Sequence, residues 1–292
     1  MDIDEKITSF ILSQPVTHQH RKVGMEEECI IYTEDLNRLL VNPAEQYSAT
    51  DLMNEMNQLT DKNGIYSLEP GGQLEWSSLP YENLSDLSLA QLNHRRLLND
   101  VTDHHNLIVL NWGLEPRFSP NDVDLIDQLK YQLMSDHMGK VNTLGKWMMR
   151  NTASIQVNFD ITNKQDAEKM VFLADCLHPV CAYLFANSPF RKNEPTGTEN
   201  IRNMIWEHTD NHRCRNLIDH GINSPDNLIQ NYIDYMMLVP GIFQLNSENI
   251  FEATDGTLGD QLINLNVNGK IRDSDIQIAL HQIFTNVRLK HL

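Results

Sequence analysis

Hydrophobic and polar positions alternate along residues 22–33 (KVGMEEECIIYT) and 64–78 (GIYSLEPGGQLEWSS), the two-residue period of a β-strand, with Pro70-Gly71-Gly72 interrupting the second stretch. Alternation returns over 151–161 (NTASIQVNFDI). Helical spacing fills the intervals. Residues 84–105 carry Leu84, Leu87, Leu89 and Leu92, and residues 165–186 carry Val171, Leu173, Ala174 and Leu177; both stretches predict long packed helices. A third helix is expected over 226–238 (DNLIQNYIDYMML), after the start signal Ser224-Pro225-Asp226. Strands interspersed with long helices, without a regular strand-helix rhythm, predict an α+β fold with a largely antiparallel sheet. No internal repeat, low-complexity tract or Gly/Ser-rich linker stands out, so residues 1–292 are expected to form a single domain.

The strand pattern also sorts the polar side chains. Neighbours at i and i+2 share a face, so Glu26 and Glu28 project together while Met25, Glu27 and Cys29 point the other way. Ser67 and Glu69 share a face before the Pro-Gly-Gly break, and Gln73, Glu75 and Ser77 share one after it. If the two strands are neighbours, four carboxylates and an amide converge on one patch. Like charges at such range raise one another's pKa unless a cation neutralises them. Hard oxygen ligands without His or Cys favour Mg²⁺ or Mn²⁺ over zinc, and Mg²⁺ held this way completes its shell with water and substrate phosphates. The alternative for either acidic pair is a solvent-facing strand edge. On the third strand Ser154, Gln156, Asn158 and Asp160 form an uncharged-to-acidic polar row opposite Ile155, Val157 and Phe159, suited to a polar ligand but equally to a half-exposed sheet.

Charge narrows the partners. Against 40 Asp+Glu there are 23 Lys+Arg, a formal charge of -17, so nucleic acid and anionic membranes are not expected partners. A compact anionic ligand would need a divalent cation or a local Arg cluster. Residues 202–215 (RNMIWEHTDNHRCR) offer the latter, placing Arg202, Trp206, Asp210, Arg213 and Arg215 in one segment; a solvated helix end with ordinary ion pairs is the competing reading. The paired histidines (18 and 20, 104 and 105, 208 and 212) form no HExxH site and are assigned surface or capping roles. The acidic N-terminus lacks the form of a secretory signal, and no run approaches the ~20 apolar residues of a membrane helix. The 4 cysteines form no CxxC pair, which fits reduced thiols in a cytoplasm, with Cys176 and Cys181 expected to be buried in an apolar helix. There is no GxxxxGK[ST] loop, no GxGxxG after a strand and no GxSxG elbow, so any nucleotide must be held through metal and carboxylates.

With those residues in hand, the chain resembles the plant-type and proteobacterial glutamate-cysteine ligase family of the glutamine synthetase-like superfamily. The likeness rests on VGMEEE (23–28), YSLEPGGQLEWSS (66–78), MGKVNTLGKWMMRNTASIQVNFD (138–160), LFANSPF (184–190), IRNMIWEHTDNHRC (201–214) and FTNVRLK (284–290), in order along almost the whole chain. LEPGGQLE is the most specific element. The resemblance implies a half-open antiparallel barrel packed with long helices. It implies an ATP- and Mg²⁺-dependent reaction joining the γ-carboxylate of glutamate to the amine of cysteine through a γ-glutamyl phosphate, within glutathione-type thiol synthesis. Glu26, Glu28, Glu69 and Glu75 would hold Mg²⁺ (or Mn²⁺) and so act as the catalytic set. Gln73, Thr152, Gln156 and Asn158 would line the substrate pocket, Arg202 and Trp206 would meet glutamate, and Arg213 a phosphate or carboxylate. The alternatives are another glutamate-directed carboxylate-amine ligase, or a ligase-derived binding or regulatory protein without turnover. Two departures stand out. Asn151 stands where the family commonly has Arg before the matching Thr, with Arg150 one step earlier, on the opposite face if this is a strand. The family also continues past the VRLK element, so this chain is expected to lack a C-terminal part that would complete the half-barrel.

Overall fold

A computed structural model describes residues 2–60, 63–142 and 144–290. Its organising element is β1 (Val23–Thr33), 11 residues long and buried along most of both faces. Its length lets it serve three partners. Antiparallel to it run β3 (Leu74–Ser77), β4 (Leu107–Leu110) and β5 (Ile155–Phe159), while β2 (Ile65–Leu68) pairs with β3 across the Pro70-Gly71-Gly72 turn. The single stretch expected over 64–78 is thus a hairpin. Gly72 supplies the positive φ of 76° that the turn needs, a backbone conformation open to glycine at little cost.

Helices α1 (Ile3–Ile11), α2 (Ala49–Leu59) and α3 (Leu84–His104) are each started by a side-chain cap, from Asp2, Ser48 and Asn83 respectively. Two short helices, α4 (Leu129–Val141) and α5 (Gly145–Asn151), lead into β5. After the 21-residue α6 (Lys164–Leu184) come α7 (Ile201–Glu207), α8 (Leu228–Leu238), α9 (Leu258–Val267) and α10 (Asp273–Leu280). Two further antiparallel pairs, β6 (Phe190–Arg191) with β7 (Glu194–Pro195) and β8 (Phe243–Leu245) with β9 (Phe251–Ala253), stand apart from the main sheet. The fold is α+β with a half-open antiparallel sheet. Among the described residues no helix is long and apolar enough to cross a membrane.

One core lies behind the sheet, where Cys29 and Ile31 of β1 and Leu74 and Trp76 of β3 pack with Leu52 and Met56 of α2 and Leu98 of α3. A second joins α1, α8, α9 and α10 around Ile7, Tyr232, Ile233 and Met236. A third gathers Met138, Met148, Ile205 and Phe243. The opposite face of the sheet, which carries Glu26 and Glu28, opens instead on a cavity bounded by residues of the latter two cores.

Three expectations need correction. In α3 only Leu87 of the four named leucines is buried; Leu84, Leu89 and Leu92 are spread around the helix, and the packed stripe is Leu87, Ala90, His94, Leu98 and Val101. In α6 the buried stripe is Ala167, Val171 and Asp175, while Leu173, Leu177, Cys176 and Cys181 are exposed. That helix has apolar residues on two faces, and only one of them meets a core. Finally, residues 150 and 151 end α5 rather than begin a strand, so the strand-face argument about the Arg150 shift does not apply. Arg150 binds the carbonyls of Pro120 and Val123, and buried Asn151 donates to the carbonyl of Phe118.

Candidate active site

The ladder registers build the site. Glu28 lies opposite Glu75 and Glu26 opposite Ser77 on β3; on the other side Glu26 faces Gln156 and Gly24 faces Asn158 of β5. Glu69 follows β2 directly and is set by the turn, its N–H donating to the carbonyl of Gln73 at 2.9 Å. Carboxylate oxygens of Glu28, Glu69 and Glu75 thereby come within 4.8 Å of one another in a cavity of about 1000 Å³. Glu26 lines the same cavity but lies outside this triad, its Oε1 accepting from Asn158 Nδ2 at 3.0 Å.

Two of the three carboxylates are oriented by side-chain or backbone donors, and Glu69 is placed by its backbone. Glu28 accepts from the Ser154 N–H (3.0 Å) and hydroxyl (2.9 Å) and from the Gln156 amide (3.2 Å), and Glu75 from the Ser67 hydroxyl (2.9 Å). Burial first, then mutual repulsion, disfavours their charged forms. Glu28 is pushed up to about 7 by desolvation and Glu75, against the opposing pull of Arg202. Glu69 is pushed up to about 8 by desolvation, Glu28 and Glu75. Glu75 is raised by desolvation and Glu26. An all-carboxylate donor set with unrelieved repulsion suits a hard divalent cation such as Mg²⁺ or Mn²⁺.

The other walls are basic and aromatic. Arg202 lies over the Trp206 ring at 5.2 Å, and Nε of Arg202 and Nε1 of Trp206 are buried with no hydrogen-bond partner among the described residues. Buried donors left open in this way are ready to receive an anionic ligand. Facing the carboxylates, Lys130 and Lys290 are held below the ordinary lysine range by burial while Glu69 pulls each of them upward. Arg288 donates to Gln156 Oε1 at 2.7 Å, so that amide links the basic wall to Glu28. His281, kept near 4 by burial and the surrounding cations, completes this wall as a neutral group.

Of the residues singled out in the sequence, Glu26, Glu28, Glu69, Glu75, Gln73, Thr152, Gln156, Asn158, Arg202 and Trp206 all border the cavity. Gln73 and Thr152 bind backbone groups of the turn and of α5. The Gln73 amide accepts from the Gly71 N–H and donates to the Thr152 carbonyl, and the Thr152 hydroxyl donates to the carbonyl of Met148. Arg213 is displaced from its expected role. It is fully buried away from the cavity, with Nε on Asp210 at 2.6 Å and its other nitrogens on the carbonyls of Gln282 and Pro240, which makes it an internal tie. Lys130, His281, Arg288 and Lys290 were not anticipated. The FTNVRLK segment contained two of them, but nothing in local spacing says that it folds back over β1.

Comparison with known proteins gives a consistent picture. The family model described as glutamate-cysteine ligase family 2 matches residues 22–292. Similar curated proteins include the chloroplastic glutamate-cysteine ligase A of Oryza sativa subsp. indica, 29% identical over 287 residues that span 93% of this chain and 56% of that protein. The chloroplastic glutamate-cysteine ligase of Arabidopsis thaliana is also 29% identical over 287 residues, 93% of this chain and 53% of the relative. The chain therefore spans about half the length of the curated relatives it matches. A crystal structure of glutamate-cysteine ligase from Francisella tularensis in complex with AMP shares the fold, with TM-score 0.53 at 15% identity over 77% of this chain and 48% of that one. On the match of nearly its whole length to one family model, the chain belongs to glutamate-cysteine ligase family 2.

Proposed function

We propose that this chain carries the catalytic site of an ATP-dependent ligase that joins the γ-carboxylate of glutamate to the amine of cysteine. The observation that supports this most is the meeting of Glu28 of β1, Glu75 of β3 and Glu69 of the turn between β2 and β3, opposite a wall of Lys130, Arg288 and Lys290. In this reading those three glutamates, with Glu26 beside them, hold Mg²⁺ or Mn²⁺. Such an ion, when bound, would neutralise phosphate charge and orient the triphosphate.

The chain's own residues divide the remaining work. Ser154 and Gln156 fix the Glu28 carboxylate, so its direction is set before substrate arrives. Lys130, Arg288 and Lys290 receive phosphate oxygens, and Arg202 with Trp206 takes a carboxylate of glutamate. Held in this way, the γ-carboxylate oxygen attacks the terminal phosphorus of ATP and ADP departs; the neutral amine then attacks the acyl carbon, the C–O bond to phosphate breaks, and the proton lost by the amine nitrogen leaves with the departing phosphate. Asn158 and Thr152 shape the pocket, while Gln73 acts through the turn it braces. Four unpaired cysteines suit a reducing compartment, and we place the protein in the cytoplasm.

ADP release measured with glutamate and ATP, testing cysteine against other amines, decides among the readings. Release that needs cysteine supports the ligase proposed here. Release with a different amine points to a related carboxylate-amine ligase, and nucleotide binding without release to a binding protein.

A further inference from the structure

Glu69 is the one member of the triad that no strand ladder holds: it lies just past the end of β2, and its place is decided by the Pro70-Gly71-Gly72 turn. Three successive carbonyls at the turn are claimed. That of Glu69 accepts from the Gly72 N–H (2.8 Å), that of Pro70 from the Ile126 N–H (2.9 Å), and that of Gly71 from Arg38 Nη2 (2.6 Å). The peptides of Gly71 are gripped from two directions, because its N–H donates to Gln73 Oε1 at 2.9 Å. There is no slack beneath it either. A Cβ on Gly71 would fall 2.2 Å from the Arg150 carbonyl oxygen at the end of α5.

Arg38 is itself anchored. Its Nη1 bonds Glu115 Oε2 at 3.0 Å, and the Glu115 side chain is wholly buried. The second oxygen of Glu115 accepts from the Tyr32 hydroxyl and from the N–H groups of Arg117 (2.8 Å) and Phe118 (3.2 Å). One guanidinium therefore ties the turn to a buried carboxylate that is in turn fastened to the far end of β1, the strand that presents Glu28. Neither Arg38 nor Glu115 borders the cavity.

We propose that Arg38 is a positioning residue for Glu69: by bridging the Gly71 carbonyl to Glu115 it sets the Glu69 carboxylate at the distance from Glu28 and Glu75 that a divalent cation requires. The inference rests on reading those three glutamates as a cation site. A planar fork is suited to the task, since it binds two fixed acceptors at once where a lysine would offer a single point.

The test titrates Mn²⁺ alone into the purified chain by calorimetry or EPR. Arg38→Met is expected to weaken Mn²⁺ binding by about 10–100-fold, the usual effect of removing an outer support of a metal ligand. Arg38→Lys should lie between that and the unsubstituted chain. Asp210→Asn breaks a comparably buried ion pair away from the cavity; it should lower the melting temperature yet leave Mn²⁺ affinity within about twofold, as for independent sites. A folded Arg38→Met that binds Mn²⁺ as tightly as the unsubstituted chain overturns the proposal. If that variant fails to fold, Glu115→Gln takes its place with the same two outcomes. Should the unsubstituted chain bind no Mn²⁺, the cation reading falls, and hydrogen exchange at Gly71 and Gly72 decides the clamp alone: faster exchange in Arg38→Lys supports it, and unchanged exchange rejects it.

Discussion

Glu27 and Glu28 are consecutive residues of one strand, and they meet opposite fates. Behind the sheet, Glu27 is buried against α3, accepting from Gln91 at 2.7 Å and Arg95 at 2.9 Å, so its charge is matched inside the protein. On the cavity side, Glu28 looks toward Glu69 and Glu75 and is pushed up to about 7. A carboxylate satisfied by its own chain reads as structure, whereas three that repel one another in a cavity support the cation site proposed above.

The largest test of that contrast is neutralisation. Glu69→Gln or Glu75→Gln should lower the proposed ligase turnover by on the order of 10²–10³, as expected when a charge-stabilising group is lost. Glu27→Gln should instead cost about 1–3 kcal/mol of stability through its unsatisfied partners, with turnover nearly retained. Equal losses of turnover at all three would erase the distinction between the two faces. Next in size is Arg202. Arg202→Met should raise the KM for glutamate about 30-fold or more, equivalent to about 2 kcal/mol for an anion deprived of its buried partner. An unchanged KM would move the glutamate carboxylate elsewhere.

A pH series sharpens the comparison further. In the unfolded chain Glu28 and Glu69 titrate near the ordinary glutamate value of 4.5, whereas folded they keep their protons to about 7 and about 8. The native state then binds more protons than the unfolded one across this window. Their contribution to stability is fully present below pH 4.5 and is lost as pH rises to about 8. Melting temperatures without divalent cation should therefore fall through that range from these two groups, and saturating Mn²⁺, which takes the place of the protons, should flatten the fall. The smallest effect concerns thiols. Cys176 and Cys181 are exposed on α6 while burial pushes Cys29 and Cys214 up to about 12, so a thiol titration should count two reactive groups in the native chain and four in denaturant.

Part of the acidic floor is legible in the sequence because strand periodicity is local: the two-residue repeat puts Glu26 with Glu28. The meeting with Glu69 and Glu75 follows only if the two strands are neighbours, and of the four carboxylates expected together Glu26 stands outside the triad. The basic wall is not legible, because Lys130 and Lys290 reach the cavity only through long-range folding that no spacing rule encodes. Arg213 shows the same limit from the other side. Its place in an Arg-rich segment suggested an anion contact, but the segment turns after α7 and directs that guanidinium inward onto Asp210. The α6 cysteines failed for a different reason. An apolar helix with two hydrophobic faces does not reveal which one meets the core, and here Leu173, Leu177 and Val180 are exposed beside Cys176 and Cys181.

Crystals soaked in MnCl₂ and measured for anomalous scattering test the cation site most directly. The account predicts a peak at inner-sphere distance, about 2.1 Å for a hard ion of this size, from oxygens of Glu28, Glu69 and Glu75. A peak elsewhere, or none at those three residues in crystals that retain their fold, would contradict it.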